Sequence, residues 1–312
     1  MFKVLNSGFL RDPRLEMKIE EPTENVVLFG KTYRMYADDW KKHIHLKCTN
    51  RCDANCAFCI ERASRSDRED PEAFMRSMRL VVEKMKDQGM FRTLSVTGGE
   101  PTLFPRLQEI VDFSNEVKPM LFSINSNGAQ MLGLRPRSLH GWLNLSKHTV
   151  EDMKAFGRQW YVGRYSMLKF KEMQPNAKLR IQAVLGVKNG LEDIHQIFRF
   201  IDIYRGVADD FSFRSLIIES DHGKMSPLFR EFRDRLFDEG CIVEQAIQDY
   251  YVYETYEREG VRITLSWANM FLLQQYNEEN PGNFLEEIIV HPDGMITGSW
   301  NRKTLIIKEG GR

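Results

Sequence analysis

The chain predicts an α/β fold built on a parallel sheet. Strand-like and helix-like patterns alternate from about residue 44 to about residue 218, the order that crossover connections between parallel strands produce. A glycine pair, Gly98-Gly99, closes one of the strand-like runs and opens toward a helix. At 312 residues the chain exceeds the usual domain size, yet α/β barrels run to this length as one unit.

The elements follow in order. Val26 to Tyr36 reads as a small hairpin around Gly30-Lys31. His43 to Cys48 alternates, with Ile44, Leu46 and Cys48 on one side of a strand and His43, His45 and Lys47 on the other. Phe74, Met78, Val81, Val82 and Met85 recur at helical spacing between Pro71 and a closing Gly89. Thr93 to Val96 is the next strand, and Leu107, Ile110, Val111 and Phe113 mark a second helix. Met120–Asn125, Trp142–Ser146, Leu179–Leu185 and Asp210–Arg214 complete six strands, with helices expected between them. Asp249 to Tyr256 is rich in tyrosine and alternates as a half-buried strand does. Ile288 to Thr297 reads as strand, Pro292-Asp293-Gly294 turn, strand. No internal repeat or low-complexity tract is present.

Composition narrows the function classes. Lys and Arg total 44 and Asp and Glu total 44, so no general field attracts nucleic acid or an anionic membrane. No apolar stretch is long enough to span a bilayer, and Met1 to Leu5 lacks the sustained apolar core of a signal peptide. A cytoplasmic location is the expectation. Five cysteines without a framework-like distribution argue against a secreted disulfide protein.

Three of those cysteines, Cys52, Cys56 and Cys59, fall within eight residues. Three thiolates on one short loop can hold three corners of an iron-sulfur cube and leave one iron open. Structural zinc is the competing use of such spacing, but it needs a fourth ligand such as Cys48. Cys48 reads instead as a small buried residue at the strand end, and Cys241 as a buried free thiol. Asn50, Arg51, Asp53 and Asn55 allow the loop to be polar and tightly turned. The glycine pair lets the backbone approach a ligand closely, and Glu100 presents a carboxylate beside it.

With Phe58 before the last cysteine and Thr97-Gly98-Gly99-Glu100-Pro101 one helix downstream, the chain resembles the radical S-adenosylmethionine (radical SAM) enzymes. That resemblance implies a partial (β/α)6 TIM-like barrel at residues 43–220. It would be preceded by an extension with a hairpin at 1–42 and followed by an α+β extension at 221–312 that covers or lines the substrate site. It implies one 4Fe-4S cluster on Cys52, Cys56 and Cys59, with SAM chelating the open iron. Cofactor contacts would come from Phe58, Gly98, Gly99, Glu100, Ser126, Asn127, Ser146 and Arg180, several of them at strand ends where parallel barrels carry their sites. Reductive cleavage of SAM would give a 5′-deoxyadenosyl radical that abstracts hydrogen from a small metabolite or a peptide side chain. An electron donor such as flavodoxin or ferredoxin is the implied partner. No residue is assigned a catalytic acid or base role. The hairpin at 288–297 resembles the opening of the cysteine-rich extension of radical SAM peptide maturases, but Gly298, Ser299 and Trp300 stand where a cysteine would follow. A single cluster is therefore expected. Outside enzymology, the alternatives are an iron-sulfur redox sensor and a structural zinc protein.

Overall fold

The computed structural model describes residues 3–4, 9–13, 17–19, 24–37, 42–61, 66, 68–216, 225–279, 284–285, 287–300 and 305–310. Met1, Phe2 and Leu5 of the amino-terminal stretch lie outside them. In chain order the elements are β1 (Lys3–Val4), β2 (Glu24–Leu28), β3 (Lys31–Met35), β4 (His43–Lys47), α1 (Pro71–Asp87), β5 (Thr93–Thr97), α2 (Leu107–Val117), β6 (Leu121–Ser126) and β7 (Gly141–Ser146). There follow α3 (Asp152–Phe156), α4 (Arg164–Met173), β8 (Ala177–Leu185), α5 (Ile194–Tyr204), β9 (Asp210–Ser215) and α6 (Pro227–Asp238). The chain continues through β10 (Ile242–Gln248), β11 (Tyr251–Arg258), β12 (Val261–Ala268), α7 (Met270–Glu279), β13 (Phe284–Leu285), β14 (Ile288–Val290), β15 (Ile296–Thr297) and β16 (Ile306–Lys308). The class is α/β, and the parallel sheet is open rather than closed into a full barrel. One crossover departs from expectation. Between β6 and β7 the described chain makes only a short 3₁₀ turn, Met131–Gly133, in place of a helix.

The chain forms two compact units, one of residues 21–144, 169–178 and 281–312, the other of 1–20, 145–168 and 179–280. In the first, β4 pairs in parallel with β5, and β5 with β6. Ile44, Leu46, Leu94, Val96, Phe122 and Ile124 share one face and are buried. α1 starts where the Asp70 side chain accepts from the Ala73 N–H, with Pro71 in the first turn. It buries Phe74, Met75, Met78, Val81, Val82 and Met85, each contributing about 1.5–3 kcal/mol of transfer free energy. The hairpin of β2 and β3 turns at Phe29-Gly30, one residue earlier than read from the sequence. Phe29 (φ 50°) and Gly30 (φ 80°) hold the left-handed pair that matches strand twist.

The carboxy-terminal hairpin does more than append itself. β14 pairs in parallel with β4, setting Ile288 beside Ile44 and Val290 beside Leu46. Its turn is fixed to the start of α1, where the Asp70 N–H donates to the Pro292 carbonyl (2.9 Å) and Ser77 Oγ to the Gly294 carbonyl (2.7 Å).

In the second unit, β8 and β9 pair in parallel, as do β9 and β12, while β12, β11 and β10 run antiparallel as a wing. β11 is the tyrosine-rich strand, alternately buried over most of its length. On its buried side Arg233 of α6 makes a bidentate pair with Glu254 of β11, both contacts at 2.7 Å. Gln245 Nε2 and the Tyr256 hydroxyl also donate to that carboxylate, each at 2.6 Å. Replacing one partner would leave a buried charge uncompensated. Arg233→Ala is therefore expected to cost about 3–5 kcal/mol in urea unfolding, and a loss under about 1 kcal/mol would show that the pair holds nothing in place.

Candidate cofactor site

The cysteine loop is held from three directions in the first unit. At its start, the Cys48 N–H donates to the Thr97 carbonyl (3.0 Å), continuing the ladder between β4 and β5. Past the strand end the direction reverses: the Gly99 N–H donates to the Thr49 carbonyl (2.7 Å) and the Glu100 N–H to the Arg51 carbonyl (2.6 Å). On the return toward α1, Glu69 accepts from the Asn50 N–H (2.6 Å) and the Thr49 hydroxyl (3.1 Å). Asn50 Nδ2 in turn donates to Ser66 Oγ (2.8 Å).

These bonds give Gly98 and Gly99 a different reason to be glycine from the one the sequence suggested. A Cβ on Gly99 would lie 2.2 Å from the Arg51 carbonyl oxygen, and one on Gly98 would lie 2.5 Å from that of Thr49. Gly98 also sits at φ +128°, where an L side chain is strained. The close approach is to the backbone of the cysteine loop itself.

Glu100, almost fully buried, is likewise occupied by protein. Its Oε1 accepts from the Thr102 N–H (2.9 Å), the Thr102 hydroxyl (2.6 Å) and the Ser126 hydroxyl (2.5 Å), and its Oε2 from the Asn127 N–H (2.6 Å). Burial pushes this carboxyl up, and the hydrogen bonds pull it back toward the ionised form. The Ser126 hydroxyl also accepts from the Gly128 N–H (2.8 Å). Asn127 Nδ2 reaches across to Asp53 Oδ1 (2.7 Å), between Cys52 and Cys56 in sequence, and Asn127 Oδ1 accepts from the Ala129 N–H (2.9 Å). Glu100, Ser126 and Asn127 thus tie the ends of β5 and β6 to each other and to the loop.

Cys52, Cys56 and Cys59 are half-buried and none is in a disulfide. The loop turns tightly at its far end, where the Cys59 N–H donates to the Cys56 carbonyl (3.3 Å) and half-buried Phe58 occupies the turn. The Ala54 N–H donates to Cys52 Sγ (3.4 Å), the kind of contact that stabilises a ligating thiolate. Among the described residues no three His, Cys, Asp or Glu side chains already converge on a point that could hold a metal ion. The donor set is nevertheless that of an iron-sulfur cluster: three thiols on eight consecutive residues, on a loop anchored at both ends. Cys48 is buried, its thiol 3.5 Å from the Thr97 carbonyl, as expected of a strand-end residue. Cys241 is half-exposed rather than buried, its thiol beside the backbone and side chain of Glu239.

The face of β4, β5 and β6 opposite the apolar one is mostly polar, carrying His43, His45, Lys47, Thr93, Ser95, Thr97 and Ser123 in register with Leu121 beside Thr93, and Asn125 follows Ser123 on the same side of β6. Asn125 Nδ2 donates to Ser95 Oγ (2.9 Å) and Asn144 Nδ2 to Asn125 Oδ1 (3.0 Å). Asn144 Oδ1 is buried without a partner among the described residues, an acceptor suited to a ligand's donor. Sequence reasoning missed a second group on this face. Glu287, one residue before β14, lies 3.2 Å from His45 Nε2 and accepts from Trp300 Nε1 (2.6 Å), with the Trp300 ring 4.9 Å from that of His45. Against burial, which alone would raise it, His45, His43 and Trp300 hold Glu287 down at about 2. Only the pairing of β14 with β4 brings these groups together, and no local pattern announces it.

Two expected contacts lie in the second unit. Ser146 ends β7, half-buried, and its carbonyl accepts from the Arg158 guanidinium (2.8 Å). Arg180 is the fourth of the nine residues of β8, toward the amino end. Its Nε donates to Asp210 Oδ2 (2.6 Å), so its guanidinium serves an ion pair at the end of the strand away from where parallel barrels bind ligands. Beyond Ser146, His148 is buried and its Nδ1 accepts from the Val184 N–H (3.0 Å). Burial, with Arg158 and Lys147 nearby, holds this imidazole neutral down to about 3.

Two expectations follow. Gly99→Ala should cost about 2–3 kcal/mol or more, because the added carbon meets backbone that cannot move aside; an unchanged urea midpoint would refute the close approach. For His148 the folded pKa lies below the unfolded one, so stability present above pH 6.5 is lost as pH falls toward 3, at ~1.4 kcal/mol per unit. Unfolding at pH 7 and pH 5 should therefore differ by about 2 kcal/mol less in His148→Gln than in wild type, and equal pH dependence would rule out a buried neutral imidazole.

Comparison with known proteins agrees with this geometry. Residues 46–162 match the family model described as the radical SAM superfamily. A stretch of 79 residues is 32% identical to an uncharacterized protein of Methanocaldococcus jannaschii, covering 25% of this chain and 26% of that protein. The chain thus spans about a quarter of the curated relative it matches. Among solved structures, Streptococcus suis SuiB bound to precursor peptide SuiA is similar with a TM-score of 0.57 and 18% identity, over 86% of this chain and 62% of SuiB. Native anSMEcpe with bound AdoMet is similar with a TM-score of 0.50 and 11% identity, over 83% of this chain and 74% of that one. The match at 46–162 takes in the cysteine loop, the glycine pair and the ends of β5, β6 and β7, so the likeness to the radical SAM superfamily covers the candidate site.

Proposed function

We propose that the protein is a radical SAM enzyme that holds one 4Fe-4S cluster on Cys52, Cys56 and Cys59 and binds SAM beside it. The observation that supports this most is the anchoring of the cysteine loop by Gly99 and Glu100, which joins the two sequence motifs into one structural unit. When bound, the cluster and SAM supply one-electron cleavage of the sulfonium and a 5′-deoxyadenosyl radical able to abstract hydrogen from an unactivated carbon. The chain's own residues position and shield. Thr49, Asn50 and Glu69 fix the base of the loop, Ala54 N–H points at the Cys52 sulfur, and Glu100, Ser126 and Asn127 hold the strand ends around Asp53. Asn144 Oδ1, with no partner among the described residues, is the acceptor we assign to a cofactor or substrate donor. Gly98, Gly99 and Phe58 shape the loop that would present the cluster.

We assign the chemistry to residues 43–220, with 1–42 and 221–312 as flanking extensions that determine what reaches it. The substrate we infer is polar, a small metabolite or a peptide side chain, because the sheet face beside the loop is polar. The solved structure of SuiB with its precursor peptide shows that a protein of similar fold takes a peptide. A flavodoxin or ferredoxin would deliver the electron, in the reducing cytoplasm that cluster thiols need. No helix among the described residues is long and apolar enough to cross a membrane.

Anaerobic reconstitution with iron and sulfide, followed by dithionite and SAM, tests the reading. About four irons per chain and formation of 5′-deoxyadenosine are expected, and Cys56→Ala should lose both. Zinc in place of iron, or a cluster that never cleaves SAM, would overturn it in favour of a structural or sensing role.

A further inference from the structure

On one face of β8, β9, β12 and β11 the charges balance at one end and not at the other. Register places Arg180 beside Asp210, Gln182 beside Ser212 and Val184 beside Arg214. It continues with Thr264 beside Ser212 and Ser266 beside Arg214, then Tyr253 beside Ser266 and Tyr251 beside Ala268. Residues paired in this way share one face of the sheet. Toward the amino end of β8 and β9, Arg180 is held by Asp210 at 2.6 Å. Arg262, on β12, lies 3.7 Å from Glu244. At the carboxyl end stands Arg214, exposed, and among the described residues no carboxylate pairs with it.

The neighbours of Arg214 are the kind that complete a small-molecule site. Ser266, buried, offers a hydroxyl directly across the ladder. Next comes Tyr253, whose ring stacks on that of Tyr251 at 5.8 Å, and Tyr251 meets Tyr250 at 4.7 Å. A guanidinium prefers the planar, two-oxygen partner that a carboxylate provides, and half-buried aromatic rings beside it suit an apolar group carrying that acid. The tyrosine-rich run noted in the sequence thus acquires a place, as the apolar wall of this corner.

We propose that Arg214, Ser266 and Tyr253 form a subsite for a carboxylate of the substrate, with the rings of Tyr251 and Tyr253 against the apolar group that bears it. That the occupant is a substrate rests on the radical SAM reading; that the corner binds a carboxylate does not. Charge complementarity selects the occupant, since each of the other two arginines of this face has its acid within the protein and Arg214 has none among the described residues.

The test uses the whole reconstituted protein and two probes, N-acetyl-L-phenylalanine and its amide, with dissociation constants measured by NMR titration. The acid should bind wild type about tenfold or more tightly than the amide. That preference should vanish in Arg214→Gln and return in large part in Arg214→Lys, with thermal melts confirming that the variants are folded. Equal binding of acid and amide to wild type, no detectable binding of the acid, or an unchanged preference in Arg214→Gln would each overturn the subsite. Iron content and 5′-deoxyadenosine formation in the same wild-type preparation report separately on the radical SAM reading, so either proposal can fail while the other stands.

Discussion

The backbone-to-backbone contact between the end of β5 and the cysteine loop is the constraint on which the candidate site depends. Two consecutive N–H groups, of Gly99 and Glu100, take the carbonyls of Thr49 and Arg51, and this is possible only where neither glycine carries a side chain. Main-chain bonds of this kind fix position without using side chains. The base of the loop that carries the three cysteines is thereby held through its main chain. Glu100 then transmits the same order to the end of β6, where the Ser126 hydroxyl and the Asn127 N–H donate to its buried carboxylate, while Thr102 holds that carboxylate through its own N–H and hydroxyl.

The parallel strands differ from those of a filled barrel. Parallel sheets are commonly covered on both faces and read as continuous apolar runs, and closed barrels fill their interior with branched aliphatic side chains. Here each unit has strands with one apolar, buried face and one face of serine, threonine, asparagine and charged residues. Hydrogen bonds among Ser95, Ser123, Asn125 and Asn144 satisfy much of that polarity internally. In the first unit they leave over Asn144 Oδ1, buried with no partner among the described residues.

Much of this was legible in the sequence. The six strands fall within a residue or two of where alternation put them, because period-two and helical patterns report burial directly. The cysteine triplet and glycine pair were legible because both depend on residue type at fixed spacing. The fine structure was not. Glu100, Ser126 and Asn127 were singled out by position, but that they bind one another and Asp53 was not legible, since residue type does not name a buried polar group's partners. Arg180 pairs with Asp210, a partner 30 positions away that only strand register reveals. The His45, Glu287 and Trp300 group was invisible for the same reason, its members being brought together by a parallel pairing across most of the chain's length.

That last pairing also sets an order of events during synthesis. β4 is made early, yet its partner on one side, β14, is made only near residue 290. Until then β4 has an open edge, its backbone groups on that side unpaired and accessible to solvent or to another chain. Contacts of such long sequence separation form late in folding. The Asp70 and Ser77 bonds to the Pro292-Asp293-Gly294 turn are equally late, so the segment leading back from the cysteine loop gains its final support only once that turn has emerged. The segment that follows the cysteine loop thus remains incompletely supported until the turn at 292–294 has been made.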